Sequence, residues 1–380
     1  MNPQDLKAVV VGAGWAGEGH TKALQHCDVE VAAICARRQE IVDRVASNLG
    51  IAIASTDWQK TLREIKPDIV ALATPAILRT PVIESAVEIG AHLLCDKPLA
   101  NTATEAERFY HLVNHAGVKH AYAATHCYHP SVAWVHQLLS NQSIGNLMQI
   151  DVIFSHPKSK ELKSWSWMDS LAYGGGMLNN GLPHWLGMLE RMTGRKLSSV
   201  VGQAQQRQER APVLPNVHDF RQFRDTKISP QEATDMEWRV CDGESSFSAL
   251  LELSSPGSKE GDFVPVIIRV TGGIAESVET NGWYFYGDKG TLVGQGMLPL
   301  SLSKAENSKT NSLLIPKELT DVLPQVGDII QNLWVAFVID FIADICQQPY
   351  QSYLTFHDGW RYQVAIEKIR QGTGWNQIGE

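Results

Sequence analysis

The chain has 380 residues, with 33 Lys plus Arg against 41 Asp plus Glu and a formal charge of −8; the pI is near 5.9. At 44% hydrophobic and 19% charged it reads as a soluble globular protein long enough for two domains. The acidic balance, with no Lys/Arg tract, argues against a sequence-independent grip on nucleic acid, and no apolar run reaches the ~18–20 residues that span a bilayer. The N-terminal stretch has no apolar signal-peptide core and leads straight into a strand. Six cysteines (Cys27, Cys35, Cys95, Cys127, Cys241, Cys346) are scattered without a CxxC. They read as buried, reduced thiols of a cytoplasmic protein.

Up to residue 124 the chain alternates between two periods. Strands are predicted at Lys7–Val11, Val29–Ala36, Ile51–Ser55, Asp68–Ala73, His92–Cys95 and His120–Ala124. Helices are predicted between them, at Glu18–His26, Arg38–Leu49, Asp57–Ile65, Pro81–Ile89 and Thr104–Ala116. Strands alternating with helices predict βαβ units and a parallel sheet. The nearly continuous apolar character of each strand predicts helices on both faces.

Beyond residue 125 the rhythm changes. Helices are predicted at Ser131–Ser140, Gly181–Met192, Asp328–Gln347 and Asp358–Gln371. Strands group at Leu147–Ser155, Ser198–Gln206, Met236–Val240, Ser246–Leu253, Val264–Thr271, Gly282–Tyr286 and Thr291–Gly294. Residues 207–235, polar and carrying Pro212, Pro215 and Pro230, read as a long loop. The predicted fold class is therefore α/β plus α+β. A domain with a Rossmann-type parallel sheet spans residues 1–124. An α+β domain with a large, mainly antiparallel, open sheet spans 125–380, and its C-terminal helix is placed to pack back on the first domain.

Val11-Gly12-Ala13-Gly14-Trp15-Ala16-Gly17 sets GxGxxG directly after a strand and before a helix. Gly12 makes the tight turn, Gly14 lets backbone approach a pyrophosphate, and Gly17 lets helix and strand pack closely. Trp15 and Ala16 supply helix N-terminal amides to the phosphates. The second strand ends Ala36-Arg37-Arg38, with no carboxylate for a ribose 2′-hydroxyl. Guanidiniums pair with a 2′-phosphate that a carboxylate would repel. NADP(H) is thus predicted over NAD(H). Read blandly, the two arginines begin a solvated helix.

These residues belong to a wider pattern. Gly12–Gly17 with His20, Thr74-Pro75, Asp96-Lys97-Pro98, Ile144-Gly145, the Gly174–Gly176 run leading to His184, and the segment from Tyr286 to Leu292 together resemble the Gfo/Idh/MocA oxidoreductases. That family includes glucose–fructose oxidoreductase and inositol dehydrogenase. The resemblance implies that Lys97 matches the Lys of the family's Glu-Lys-Pro motif, with a cis peptide before Pro98 and Asp96 in place of Glu. It implies that His184 is the family's site histidine. Asn180 stands where the family carries Asp. Thr74, Pro75, Asp96 and Lys97 are expected along the cofactor, and Ala76 and Arg79 replace a frequent Asn and His beside them.

Asn180 and His184 fall on one helical face. Oxidising a secondary alcohol needs a group to take the hydroxyl proton, which a histidine suits. Lys97 is placed to stabilise developing alkoxide charge. An amide at 180 supports imidazolium less than a carboxylate would. That change favours a base in oxidation, weakens an acid in reduction, or marks altered chemistry. Substrate contacts are predicted at His126, Tyr128, Trp165, Trp167, Asn180 and His184, with His156, Lys158 and Lys160 nearby. Trp165, Trp167 and Trp185 offer flat faces for a ring, though each serves equally as core. His126, Cys127 and His129 match no strong metal pattern, and no metal is predicted.

The expected activity is hydride transfer between NADP(H) and a hydroxyl or carbonyl carbon of a sugar, cyclitol or related polyol. The alternatives are a non-catalytic NADP(H)-binding sensor or regulator, and a reductase of an unsaturated non-sugar substrate such as a bilin. A homodimer or homotetramer through the open sheet face is expected, with no nucleic-acid or membrane partner.

Overall fold

The computed structural model describes residues 2–157, 161–215, 217, 219–257, 259, 261–275, 281–296, 300–304, 307–372 and 374. The first region runs β1 (Lys7–Val11), α1 (Trp15–His26), β2 (Glu30–Cys35), α2 (Gln39–Leu49), β3 (Ile53–Ser55), α3 (Trp58–Ile65), β4 (Ile69–Leu72), α4 (Thr80–Glu88), β5 (His92–Asp96), α5 (Ala103–Ala116) and β6 (His120–Ala123). All strand pairings are parallel, in the order β3-β2-β1-β4-β5-β6. The order reverses between β1 and β4, so the carboxyl ends of those strands open a crevice for a ligand. Val9, Val10 and Val11 are buried, because helices cover both faces.

Helix α1 starts at Trp15, three residues before the predicted Glu18. Its glycines are tolerated because neighbours press on them. A Cβ at Gly19 would fall 1.8 Å from the Trp334 ring.

The second region runs α6 (Pro130–Ser140), β7 (Leu147–Pro157), α7 (Met177–Thr193), β8 (Lys196–Gln205), β9 (Arg210–Pro212), α8 (Phe220–Asp225), β10 (Trp238–Val240), β11 (Ser246–Ser254), β12 (Phe263–Ile274), β13 (Gly282–Gly287), β14 (Gly290–Gln295), β15 (Leu300–Lys304), β16 (Asn307–Leu313), α9 (Lys317–Thr320), α10 (Ile329–Ile345) and α11 (Phe356–Gln371). Eight strands form one sheet, β16-β15-β14-β13-β7-β12-β11-β8. It is antiparallel except where β7 and β12 run parallel at its centre. Asp288, in the β13–β14 turn, accepts the Asn146 amide at 2.8 Å and anchors the start of β7.

Three expectations are corrected. The strand predicted at Met236–Val240 lies outside the large sheet and is shorter. Trp238–Val240 pairs with Arg210–Pro212 in a separate ribbon. Residues 207–235 are not all loop, since they contain β9 and α8. The hairpin β15–β16 was not foreseen, because its short Ser-, Asn- and Lys-rich strands offer few apolar positions from which to read a period.

Helix α7 begins at Met177 rather than Gly181 and carries Pro183 inside it. Glu244 caps it, its backbone carbonyl accepting Met177 N at 2.8 Å and its carboxylate accepting Leu178 N at 2.9 Å. The triple glycine admits this close approach. A Cβ at Gly175 would lie 2.4 Å from the Met168 carbonyl, and one at Gly176 would lie 2.4 Å from Glu244. Helix α10 closes one face of the first sheet, with Phe337 and Phe341 packed among Val10, Leu24 and Ile34. Helix α11 packs between α5 and β8.

Candidate active site

The glycine turn is shaped for backbone approach. Gly12 has φ +120°, and a Cβ there would lie 2.4 Å from the Ala73 carbonyl. A Cβ at Gly17 would lie 1.8 Å from the Gly12 carbonyl. A Cβ at Gly14 would meet only Asp219 Oδ2, 4.0 Å away. These positions fit a dinucleotide pyrophosphate, and no side chain at Gly12 or Gly17 would leave the turn intact. Trp15 and Ala16 open α1, and the Trp15 ring lies between Phe220 (5.0 Å) and Trp334 (4.8 Å). At the end of β2, Ala36 donates its amide to the Ser55 carbonyl at 3.0 Å. Arg37 is exposed and Arg38 half-buried, and neither guanidinium has a partner among the described residues.

The ends of β4 and β5 are tied together by Arg79. This arginine is 2% exposed. It donates to the Thr74 carbonyl through Nε at 3.0 Å and Nη2 at 2.7 Å, and to the Asp96 and Pro98 carbonyls through Nη1. Asp96 Oδ1 accepts the Lys97 amide at 2.8 Å, and the Lys97–Pro98 peptide is cis. Thr74 and Pro75 flank the same crevice. Arg79 had no role in the sequence reading. The missed signal is a charged residue closing the apolar run Ala76-Ile77-Leu78.

Across the crevice, Lys97 Nζ donates to Asn180 Oδ1 at 3.2 Å. Asn180 in turn donates to the Gly176 carbonyl at 2.9 Å. His184, one turn along α7, stacks on His126 at 3.8 Å with the rings 15° apart. Burial pushes His184 well below the ordinary imidazole value. His126 and Lys97 add to this, and the Ala124 carbonyl opposes it. Burial, Lys97 and His129 bring His126 down to about 4. Burial lowers the Lys97 ammonium too, with Asp96 opposing and Arg79 adding. The group is two neutral imidazoles beside one lysine, a set able to exchange a proton and to stabilise an oxyanion.

Residues 6–124 match the oxidoreductase family, NAD-binding Rossmann fold, and residues 132–293 match the GFO/IDH/MocA C-terminal domain. The chain belongs to the Gfo/Idh/MocA family. It is 25% identical over 203 residues to levoglucosan dehydrogenase from Pseudarthrobacter phenanthrenivorans, covering 50% of this chain and 52% of that one. It is 29% identical over 133 residues to D-xylose 1-dehydrogenase (NADP(+)) 2 of Haloferax volcanii, covering 35% and 41%. The chain thus spans about half the length of these curated relatives. The solved structure of levoglucosan dehydrogenase in complex with NADH aligns with a TM-score of 0.77 at 17% identity, over 97% of this chain and 96% of that one. At that identity the likeness shows the fold.

In this Gfo/Idh/MocA chain the other predicted residues divide. Tyr128 turns away from Lys97, donating to Asp340 at 2.8 Å with Arg191 4.6 Å above its ring. Trp165 leans on the β9–β10 ribbon and donates to the Val240 carbonyl at 3.0 Å. Trp167 is half-buried in the turn beneath Gly175. Trp185 stacks on Phe154 at 5.3 Å, on the sheet side. His129 caps α6 through Ser131. His20 is buried against Trp334, with neither ring nitrogen bonded among the described residues. Lys158 and Lys160 lie outside the described residues, and His156 is exposed at the end of β7. All six cysteines are free thiols. Among the described residues no group of three His, Cys, Asp or Glu is placed to hold a metal ion, and no helix is long and apolar enough to cross a membrane.

Proposed function

We propose that this chain is an NADP(H)-preferring oxidoreductase acting on a hydroxyl or carbonyl carbon of a sugar, cyclitol or related polyol. The observation that carries this reading is the Lys97–Asn180–His184–His126 group, where α7 meets the residues that follow β5 and β6. When bound, the nicotinamide accepts or returns the hydride. Lys97 donates a hydrogen bond to the substrate oxygen and stabilises its negative charge as the C–H bond breaks. His184, held neutral, takes the hydroxyl proton in oxidation and gives it back in reduction. Asn180 holds the Lys97 ammonium toward the crevice without adding charge.

Arg37 and Arg38 supply the 2′-phosphate contacts. Free guanidiniums and no carboxylate at the end of β2 support NADP(H). The relatives named as levoglucosan and D-xylose dehydrogenases support the sugar class. Association into a homodimer or homotetramer through the outer sheet face, where Leu250 is 51% and Ile267 37% exposed, completes the reading. The test is turnover of NADP+ and NAD+ over a panel of aldoses, cyclitols and polyols. Lys97→Met serves as the variant that binds cofactor but turns over about 10²–10³ more slowly.

A further inference from the structure

Helix α8 and the residue before it lie over the glycine turn. Asp219 caps α8, accepting Arg221 N at 2.8 Å. Its Oδ2 would lie 4.0 Å from a Cβ placed on Gly14, the residue before α1. Burial opposes its charge, but the hydrogen bonds from Arg221 and from the Trp15 amide hold the Asp219 carboxyl below its ordinary value. Arg221 grips both Asp219 oxygens, Nε to Oδ1 at 2.8 Å and Nη2 to Oδ2 at 3.1 Å. Its other edge takes both oxygens of Glu18, in the first turn of α1, at 3.0 and 2.7 Å. Phe220 stacks on Trp15 at 5.0 Å.

Two carboxylates therefore share one guanidinium, and one of them sits where GxGxxG turns receive a pyrophosphate oxygen. An anion held between a backbone amide and an arginine fork has the surroundings of a bound phosphate. We propose that the Asp219 carboxylate is a built-in stand-in for a cofactor phosphate, and that Arg221 is a phosphate ligand supplied by the second domain. The inference rests on dinucleotide binding at this turn, as proposed above. A phosphate that displaces the Asp219 carboxylate inherits the Arg221 fork beside the first turn of α1. Glu18 keeps that fork aimed at the turn in both states. The tethered carboxylate competes with every incoming phosphate, so it lowers apparent cofactor affinity.

The experiment is a tryptophan-fluorescence titration of the full chain with NADPH, with NADH and with inorganic pyrophosphate, using the Trp15–Phe220 stack as reporter. Asp219→Asn keeps the shape and removes the competing charge, so all three should bind about tenfold tighter. Arg221→Met should weaken all three about tenfold, and Arg221→Lys should recover part of the loss. Thermal melts identify any variant that fails to fold, and Arg221→Lys then carries the arginine test. Unchanged or weaker binding by Asp219→Asn would overturn the proposal, as would unchanged binding by both folded Arg221 variants. If wild-type protein binds neither NADPH nor NADH, the functional reading falls and this inference with it. If wild type binds and the variants do not shift, this inference alone falls.

Discussion

The Lys97 ammonium donates to the Asn180 amide oxygen at 3.2 Å, a contact that joins the first sheet to helix α7. A neutral amide stabilises the ammonium less than a carboxylate would, and burial lowers the Lys97 pKa. Asn180→Asp adds a carboxylate that favours both imidazolium and ammonium. His184 then protonates at higher pH, and Lys97 keeps its proton to higher pH. Both limbs of the kcat/KM profile for oxidation should move alkaline. A profile with neither limb displaced would show that Asn180 does not set the charge state of the site.

In the wild type, oxidation needs neutral His184. Because its pKa lies well below the ordinary 6.5, activity should persist as pH falls through 6.5 and be lost only at lower pH. Measured kcat/KM that collapses near 6.5 would place an ordinary, solvated imidazole in the role of base.

Lys97→Met removes the oxyanion donor and leaves the glycine turn untouched. A loss of about 10²–10³ in kcat is expected, with cofactor affinity nearly unchanged by fluorescence titration. An equal fall in cofactor affinity would make Lys97 a binding residue.

Arg79 is a positioning residue for the Lys97 turn. Arg79→Met leaves the Thr74, Asp96 and Pro98 carbonyls without their donor, at a cost of about 3 kcal/mol. Urea unfolding measures that loss, and Arg79→Lys should recover part of it. The lysine variant, being folded, should show a lower kcat with little change in KM. A kcat equal to wild type would restrict Arg79 to stability.

Arg37→Ala and Arg38→Ala test the cofactor preference. Each should weaken NADPH about tenfold or more and leave NADH within about twofold. Equal losses for both cofactors would make these arginines a general basic surface rather than 2′-phosphate ligands.

Much of this was legible in the chain itself. Val9-Val10-Val11 before Gly12-Ala13-Gly14 has no comfortable home except the first turn of a parallel sheet. The i, i+4 spacing of Asn180 and His184 put them on one face. Arg79 was hidden because its partners are backbone carbonyls, which no side-chain pattern announces. Asp219 and Arg221 were hidden because they meet Trp15 and Glu18 across some two hundred residues of sequence. Nothing local marks them, and the polar segment around them reads as loop. Tyr128 sits two residues from His126 but faces Asp340, because the short turn that presents His126 to the crevice rotates Tyr128 away.

The most direct test follows reduced nicotinamide absorbance with purified protein, NADP+ and NAD+ compared, over aldoses, cyclitols and polyols, for wild type and Lys97→Met. The prediction is turnover of at least one such substrate by wild type, faster with NADP+, and a kcat about 10²–10³ lower for Lys97→Met despite intact cofactor binding. Wild-type protein that binds NADPH yet turns over nothing across the panel would contradict the account and leave a cofactor-binding sensor in its place.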